Sequence, residues 1–200
     1  MTALFYNKTS LQDTLIIHVA SEYATKVSSH DKFCVGYDAK NDVCFINIFQ
    51  VSSTISLSSG YLKLNAKLCS YIMSVTKIDL HKHIDQNQFV VGQVISCENI
   101  ADTHLHSCQV AIGNNKTLDI VCGAKNVKSG IKTVVAEVGA ILPNGLLIKP
   151  NKLMGYQSFG MLCSARELNL SLSKYPESGI VVLDEHYQVG QSFDEMFVIN

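Results

Sequence analysis

Two short segments in the second half of the sequence carry the side chains best suited to hold a ligand. Segment A is Val121–Val127 and segment B is Gly155–Ser164. Both segments place small residues, amides and hydroxyls next to lysines, and neither contains a catalytic pair or a metal cluster. Such groups favour contact with a phosphate backbone over bond breaking.

Patterns typical of catalysis or metal binding are weak elsewhere in the chain. His104, His106 and Cys108 alternate as in a strand, so they could ligate zinc or copper. Cys108 is also in phase with the apolar residues that follow it, which indicates a buried thiol. Ser158 has two residues between it and the preceding glycine, whereas a nucleophile elbow has one. No phosphate-cradling glycine loop occurs, so we expect no metal, no cofactor and no enzymatic activity.

The charge of the chain is divided along its length. The net charge of −1 excludes a global electrostatic attraction to nucleic acid. However, the basic stretch (residues 116–166) has a net charge of +5, and the acidic tail (residues 167–200) has a net charge of −5. The basic stretch could attract phosphates, or its lysines could be ordinary solvated side chains on loops.

The first half of the sequence predicts strands followed by one helix. Val43–Val51 is rich in β-branched and aromatic residues and predicts a central strand. Leu64, Leu68, Ile72 and Val75 recur on one face of a helix. A polar run after this helix predicts a domain boundary near residue 87.

The second half predicts a small barrel or sandwich, because short strands alternate with turn residues. The predicted strands include Phe89–Cys97, Leu105–Ile112, Leu118–Cys122, Thr133–Val138 and Leu146–Lys149. The fold class is therefore an α+β domain over residues 1–87, followed by an all-β barrel over residues 88–200 that ends in an extension.

The cysteine content indicates the cellular compartment. Seven cysteines occur without a C-x-x-C pair, and the first residues lack a basic start and a long apolar run. We therefore expect reduced thiols in a cytoplasmic protein. No run of about 18 apolar residues is present, so we expect no membrane-spanning helix.

Segments A and B also carry a family resemblance. Together with Val90–Val94 and Gly139–Gly145, they resemble the tRNA-binding domain of bacterial phenylalanyl-tRNA synthetase β subunits. The complete chain is similar to the stand-alone YtpR-type proteins, which are associated with translation. The resemblance implies an OB-fold barrel that binds tRNA without aminoacylating it.

The resemblance also implies which residues bind RNA. It points to seven positions: Asn126, Lys149, Lys152, Ser158, Gly160, Met161 and Ser164. The basic stretch adds Lys125 and Lys128, and Tyr156 could either stack on an exposed base or close the end of the barrel. Met154 stands where the family often has an arginine, so we expect a modest affinity because a bidentate phosphate partner is missing.

Two classes of partner remain open. In the first, the barrel binds tRNA or another structured RNA through a basic face. In the second, the chain is a protein-interaction module that docks on an aminoacyl-tRNA synthetase or another translation factor. A homodimer partner is compatible with both, and the sequence does not assign a role to residues 1–87.

Overall fold

The computed structural model describes residues 1–84 and 86–198. They form two compact units: the first runs to Gln86 and includes Phe197 and Val198, and the second spans Asn87–Met196. The regular secondary structure of the described residues is mostly β-strand, with one α-helix. That helix is too short to cross a lipid bilayer, and the described part of the chain has no other candidate span.

The first unit contains a six-stranded antiparallel sheet with the strand order β3-β4-β5-β2-β1-β6. Its strands are β1 (Ala3–Asn7), β2 (Thr14–His18), β3 (Lys26–Ser29), β4 (Phe33–Tyr37), β5 (Val43–Ile48) and β6 (Gly60–Leu62). Strand β5 lies inside the sheet, as its composition predicts. Alternate residues of β2 and β5 are buried, so these strands turn one face toward the core.

The helix α1 (Ala66–Thr76) supplies residues to the core of the first unit. It begins at Asn65, whose side-chain oxygen accepts a hydrogen bond from the Leu68 N–H at 2.9 Å. It ends at Lys77, which is left-handed (φ 65°). Leu68 and Ile72 are buried, which confirms the predicted helix and its apolar face.

The second unit is built on a nearly closed barrel sheet with the order β13-β10-β7-β8-β9. The strands are β7 (Phe89–Asn99), β8 (His106–Ala111), β9 (Thr117–Cys122), β10 (Lys132–Glu137) and β13 (Gly160–Leu162). The edge strands β9 and β13 approach each other, and the Phe159 N–H donates to the Asp119 carbonyl at 2.8 Å. The core of this unit includes Val94, Val110, Ile120 and Val135.

A small hairpin precedes β13 and consists of β11 (Asn151–Leu153) and β12 (Tyr156–Ser158). The predicted strand Leu146–Lys149 is not formed. Leu147 makes only an isolated bridge with Ile141. The residues before it, Leu142 to Gly145, fold as a tight turn, closed by the Gly145 N–H on the Leu142 carbonyl at 2.8 Å.

The acidic tail follows the barrel as a strap with backbone hydrogen bonds rather than long strands. The Val181 N–H donates to the Cys163 carbonyl at 2.9 Å, and the Leu183 N–H donates to the Lys132 carbonyl at 2.9 Å. Further along, the Phe193 N–H donates to the Phe89 carbonyl at 2.9 Å. Residues 167–196 of the tail are therefore part of the second unit and bring carboxylates close to the basic stretch.

Candidate nucleic-acid interface

Segments A and B lie side by side where the barrel closes. Ser158 is buried, and its Oγ accepts a hydrogen bond from the Val121 N–H at 3.1 Å and donates to the Gly160 carbonyl at 3.3 Å. These bonds join the end of β9 to the β12–β13 segment. The structure therefore brings together two segments that are separated in the sequence.

The small residues of segment B serve this close approach of strands. A Cβ atom at Gly160 would lie 2.9 Å from the Ala136 carbonyl oxygen, which is too close for any side chain. The buried Ser158 hydroxyl donates its hydrogen bond to the Gly160 carbonyl inside the protein, as buried hydroxyls usually do. Both residues support the barrel closure, and direct contact of either with RNA stays a prediction.

Ser164 begins a single helical turn at the end of segment B. Glu167 Oε2 accepts hydrogen bonds from the Ser164 N–H and from its hydroxyl, each at 2.7 Å. The Leu168 N–H donates to the Ser164 carbonyl at 3.2 Å. This is a capping box, so the Ser164 hydroxyl already has a protein partner.

Asn126 connects segment A to the acidic tail. Its Nδ2 donates to the Ile180 carbonyl at 2.9 Å, and its Oδ1 accepts from the Ile180 N–H at 2.9 Å. Ile180 is buried, so this side-chain amide satisfies two buried backbone groups. The side chain acts here as a clamp on the tail, and the sequence contains no local signal for that role.

Three cations of the basic stretch are neutralised by carboxylates. The pairs are Lys116 with Glu137 (2.6 Å), Lys132 with Glu185 (2.9 Å) and Arg166 with Glu177. Two of these carboxylates come from the acidic tail. The charge division seen in the sequence is therefore partly cancelled in the fold.

The other four cations of the basic stretch are lysines that form no salt bridge with the described residues. Lys125, Lys128, Lys149 and Lys152 are exposed. Among the residues that the structure describes, none of the four has a carboxylate within 4 Å. These four are also the lysines predicted from the sequence to bind RNA.

The β11–β12 hairpin turns at Met154 and Gly155, whose φ angles are 49° and 88°. Leu153 is opposite Tyr156 in the register, and Lys152 is opposite Gln157. Because side chains alternate along a strand, Leu153 and Tyr156 share one face of the hairpin. Lys152 belongs to the other face.

Two clefts flank the closure and share Val121 and Met161. The hairpin cleft has a volume of about 540 Å³ and includes Val121, Leu146, Lys149, Leu153, Ser158 and Met161 in its lining. The strap cleft has a volume of about 340 Å³ and includes Ala124, Met161, Ser164, Glu167, Gly179 and Ile180. Leu146 and Leu153 are not among the site residues predicted from the sequence.

The predicted site residues thus fall into three groups. Lys149, Ser158, Gly160 and Met161 line the hairpin cleft, and Ser164 lines the strap cleft with Met161. Lys125 and Lys128 lie on the loop after β9, and Asn126 clamps the tail from the same loop. The third group lies on the hairpin, with Lys152 on one face and Tyr156 on the other. The Tyr156 side chain is 45% exposed.

Metal-ligating residues do not gather within the described ranges, 1–84 and 86–198, where no group of three or more His, Cys, Asp or Glu could hold an ion. Cys108 is buried, as its phase with neighbouring apolar residues predicts, and its Sγ lies 3.7 Å from the Cys97 Sγ. Burial raises the pKa of the Cys108, Cys122 and Cys163 thiols. These thiols stay protonated and are poor nucleophiles or ligands.

Comparisons with known proteins identify the family. Residues 89–192 match the family model described as "Putative tRNA binding domain". The chain is 34% identical to the "Uncharacterized protein MG449 homolog" of Mycoplasma pneumoniae, over 98% of this chain and 87% of that protein. It is 35% identical to the "Putative tRNA-binding protein YtpR" of Bacillus subtilis, over 94% of this chain and 98% of that protein.

A shorter match covers about half of the chain. The chain is 45% identical over 109 residues to the phenylalanine–tRNA ligase β subunit of Streptococcus agalactiae, which is 53% of this chain and 14% of that protein. The resemblance found in segments A and B is thereby confirmed. The chain belongs to the tRNA-binding domain family and is of the YtpR type.

Proposed function

We propose that this chain binds tRNA, or another structured RNA, without catalysing a reaction on it. In this proposal the barrel is an OB-fold, and Lys125, Lys128, Lys149 and Lys152 form its basic face. The observation that carries the proposal is the separation of the cations into two classes. Three are paired with carboxylates, whereas these four have no such partner among the described residues.

The separation matters because a paired lysine must lose its carboxylate before it can hold a phosphate. An unpaired, exposed lysine exchanges only water and counterions, and the released counterions drive binding. The acidic tail therefore restricts where the basic stretch can attract RNA. A net charge of −1 for the chain is compatible with this local attraction.

The proposal also covers the domain organisation. Residues 1–87 form an α+β domain, with its six-stranded sheet and one helix, and residues 88–200 form the RNA-binding domain with its extension. The protein is cytoplasmic, where tRNA is available. An aminoacyl-tRNA synthetase and a second copy of the chain are further proposed partners.

A second candidate function is docking on a protein of the translation machinery. Exposed apolar side chains favour it, because Leu146, Met154 and Phe159 are 52%, 67% and 40% exposed around the hairpin. Exposed apolar groups that cluster are typical of protein contacts. A partner that remains bound to the tagged protein after RNase treatment would support docking, and loss of every partner would contradict it.

A pair of matched variants tests the RNA-binding proposal. Lys149→Gln and Lys116→Gln each remove one positive charge, but only Lys116 is paired in the fold, with Glu137. If Lys149 contacts a phosphate, its loss lowers tRNA affinity about ten-fold at roughly 50 mM salt and reduces the salt slope by about 1.

Fluorescence anisotropy with labelled total tRNA gives both quantities. Lys116→Gln is the control for the change in net charge, so we expect it to bind nearly as well as the natural protein. Equal losses in the two variants would mean that only net charge matters, and would contradict a localised basic face.

A further inference from the structure

The hairpin cleft has the composition of a ligand site rather than of a phosphate groove alone. Leu146, Leu153 and Val121 contribute apolar wall, and Lys149 stands in the same lining. The volume of about 540 Å³ lies within the range of about 300–1,000 Å³ that small-ligand pockets occupy. A site of this kind accepts a flat apolar group that is attached to a negative charge.

The strap cleft lacks this combination. Among the described residues, its lining includes the acidic Glu167 and no lysine or arginine, so it repels a phosphate. The hairpin cleft includes Lys149, which has no carboxylate partner in the described part of the chain. Charge complementarity therefore selects the hairpin cleft as the place for a nucleotide.

The polar groups of the hairpin cleft favour a contact that accepts any base over one that is specific for a single base. The Ser158 hydroxyl is used inside the protein. Asn151 Oδ1 accepts from the Lys152 N–H at 2.8 Å, and its amide N–H groups have no acceptor among residues 1–84 and 86–198. One donor group and an apolar wall fit any base.

An exposed aromatic ring completes the arrangement. Tyr156 lies opposite Leu153 in the hairpin register and shares its face, the face that lines the cleft. A ring beside an apolar cleft can stack on a base that enters it or on the next base. A base inside a duplex is stacked and paired, so it cannot enter.

We propose that the hairpin cleft accommodates one unpaired nucleobase of the bound RNA, while Lys149 holds the adjoining phosphate. This inference rests on the proposed RNA binding and names the kind of RNA element that the site takes. The element is a loop, bulge or single-stranded end. The sequence of the element matters less than its lack of pairing.

The experiment compares three RNAs by anisotropy competition: total tRNA, a short oligouridylate, and an RNA duplex with the same number of phosphates as the oligouridylate. The variants are Leu153→Ala and Tyr156→Ala. The control is Gln157→Ala, which removes a side chain from the opposite face of the same hairpin. A single 2-aminopurine in the oligouridylate reports by its fluorescence whether a base becomes stacked on the protein.

We expect the oligouridylate to bind more tightly than the duplex and to show a change in 2-aminopurine fluorescence. Leu153→Ala and Tyr156→Ala each weaken oligouridylate binding about five-fold or more, and Gln157→Ala leaves it unchanged. All of these proteins bind the duplex alike.

Other outcomes distinguish a failure of the base site from a failure of RNA binding itself. If tRNA binds but the oligouridylate and the duplex bind equally, and the cleft variants match the control, the base site is refuted and the proposed function stands. If no RNA binds at low salt, the proposed function itself fails and the base site fails with it.

Discussion

The clamp between Asn126 and Ile180 yields the sharpest prediction about how the structure is held together. The resemblance to known tRNA-binding domains assigns Asn126 to RNA contact, but its amide makes two hydrogen bonds of 2.9 Å with the Ile180 backbone. Asn126→Ala removes both bonds at once. It leaves the Ile180 N–H and carbonyl without their partner in a position where Ile180 is buried.

The expected cost follows from these two bonds. A hydrogen bond contributes about 0.5–1.5 kcal/mol net, and a buried group left without a partner costs about 1–3 kcal/mol. Some water will reach the released groups, since Asn126 itself is only partly buried. We therefore expect Asn126→Ala to lower the free energy of unfolding of the second unit by about 2–3 kcal/mol.

Urea unfolding monitored by circular dichroism measures this change, and amide hydrogen exchange at Ile180 and Val181 locates it. With a urea dependence of about 2 kcal/mol per molar, the midpoint falls by roughly 1 M. Lys125→Ala is the control, because this neighbouring side chain is exposed and its loss changes stability by less than about 0.5 kcal/mol. An unchanged midpoint with lost tRNA binding in Asn126→Ala would refute the clamp and return Asn126 to the RNA interface.

Three further predictions concern the acidic tail and the hairpin. Burial raises the pKa of Glu195, but hydrogen bonds from Lys174 and two tyrosines outweigh burial and hold the pKa below its ordinary value of 4.5. This carboxylate therefore stabilises the fold above that value, and the stabilisation is lost as the pH falls through the lower folded pKa. Glu195→Gln should be less stable at neutral pH and lose less stability on acidification, and parallel pH curves for the two proteins would contradict this. Gly155→Ala should cost about 1 kcal/mol, because no atom obstructs a Cβ there and the loss comes from the left-handed backbone. Met154→Asn should stabilise the same turn by a few tenths of a kcal/mol, since asparagine tolerates its positive φ. Thermal unfolding measures both changes. A midpoint that rises in Gly155→Ala and falls in Met154→Asn would refute the turn geometry.

Local sequence patterns predicted the parts of the fold that depend on local residues. The recurrence of Leu68 and Ile72 on one helical face predicted α1, and short runs bounded by turn residues predicted the barrel strands β8 and β9. The tight turn from Leu142 to Gly145 also depends on local residues, because asparagine and glycine tolerate the required backbone. Each of these features is set by residues close together in the chain.

The features that local patterns did not predict depend on contacts between distant residues. The hairpin strands β11 and β12 are only three residues long, which is too short for alternation to show. The neutralisation of Lys132 by Glu185 depends on where the acidic tail passes over the barrel. No spacing in the sequence reveals that path, so the charge count alone overstated the positive charge available to a ligand.

The candidate site likewise has parts that were predicted from the sequence and parts that depend on contacts between distant residues. Family resemblance located segments A and B, and the bond from the Val121 N–H to the Ser158 hydroxyl shows that they meet. Leu146 and Leu153 were missed because an isolated leucine in a turn or a short strand looks like any other. Their importance becomes visible only when the cleft that they line is formed.

The salt dependence of tRNA binding tests the central claim most directly. Labelled total tRNA is titrated with the 200-residue chain at several salt concentrations. The logarithm of the association constant is plotted against the logarithm of the salt concentration. Four lysines that have no carboxylate partner in the described part of the chain, and that contact a few phosphates, predict a slope of roughly −2 to −4. An absence of binding at about 50 mM salt, or a binding constant that does not change with salt, would contradict a basic RNA-binding face.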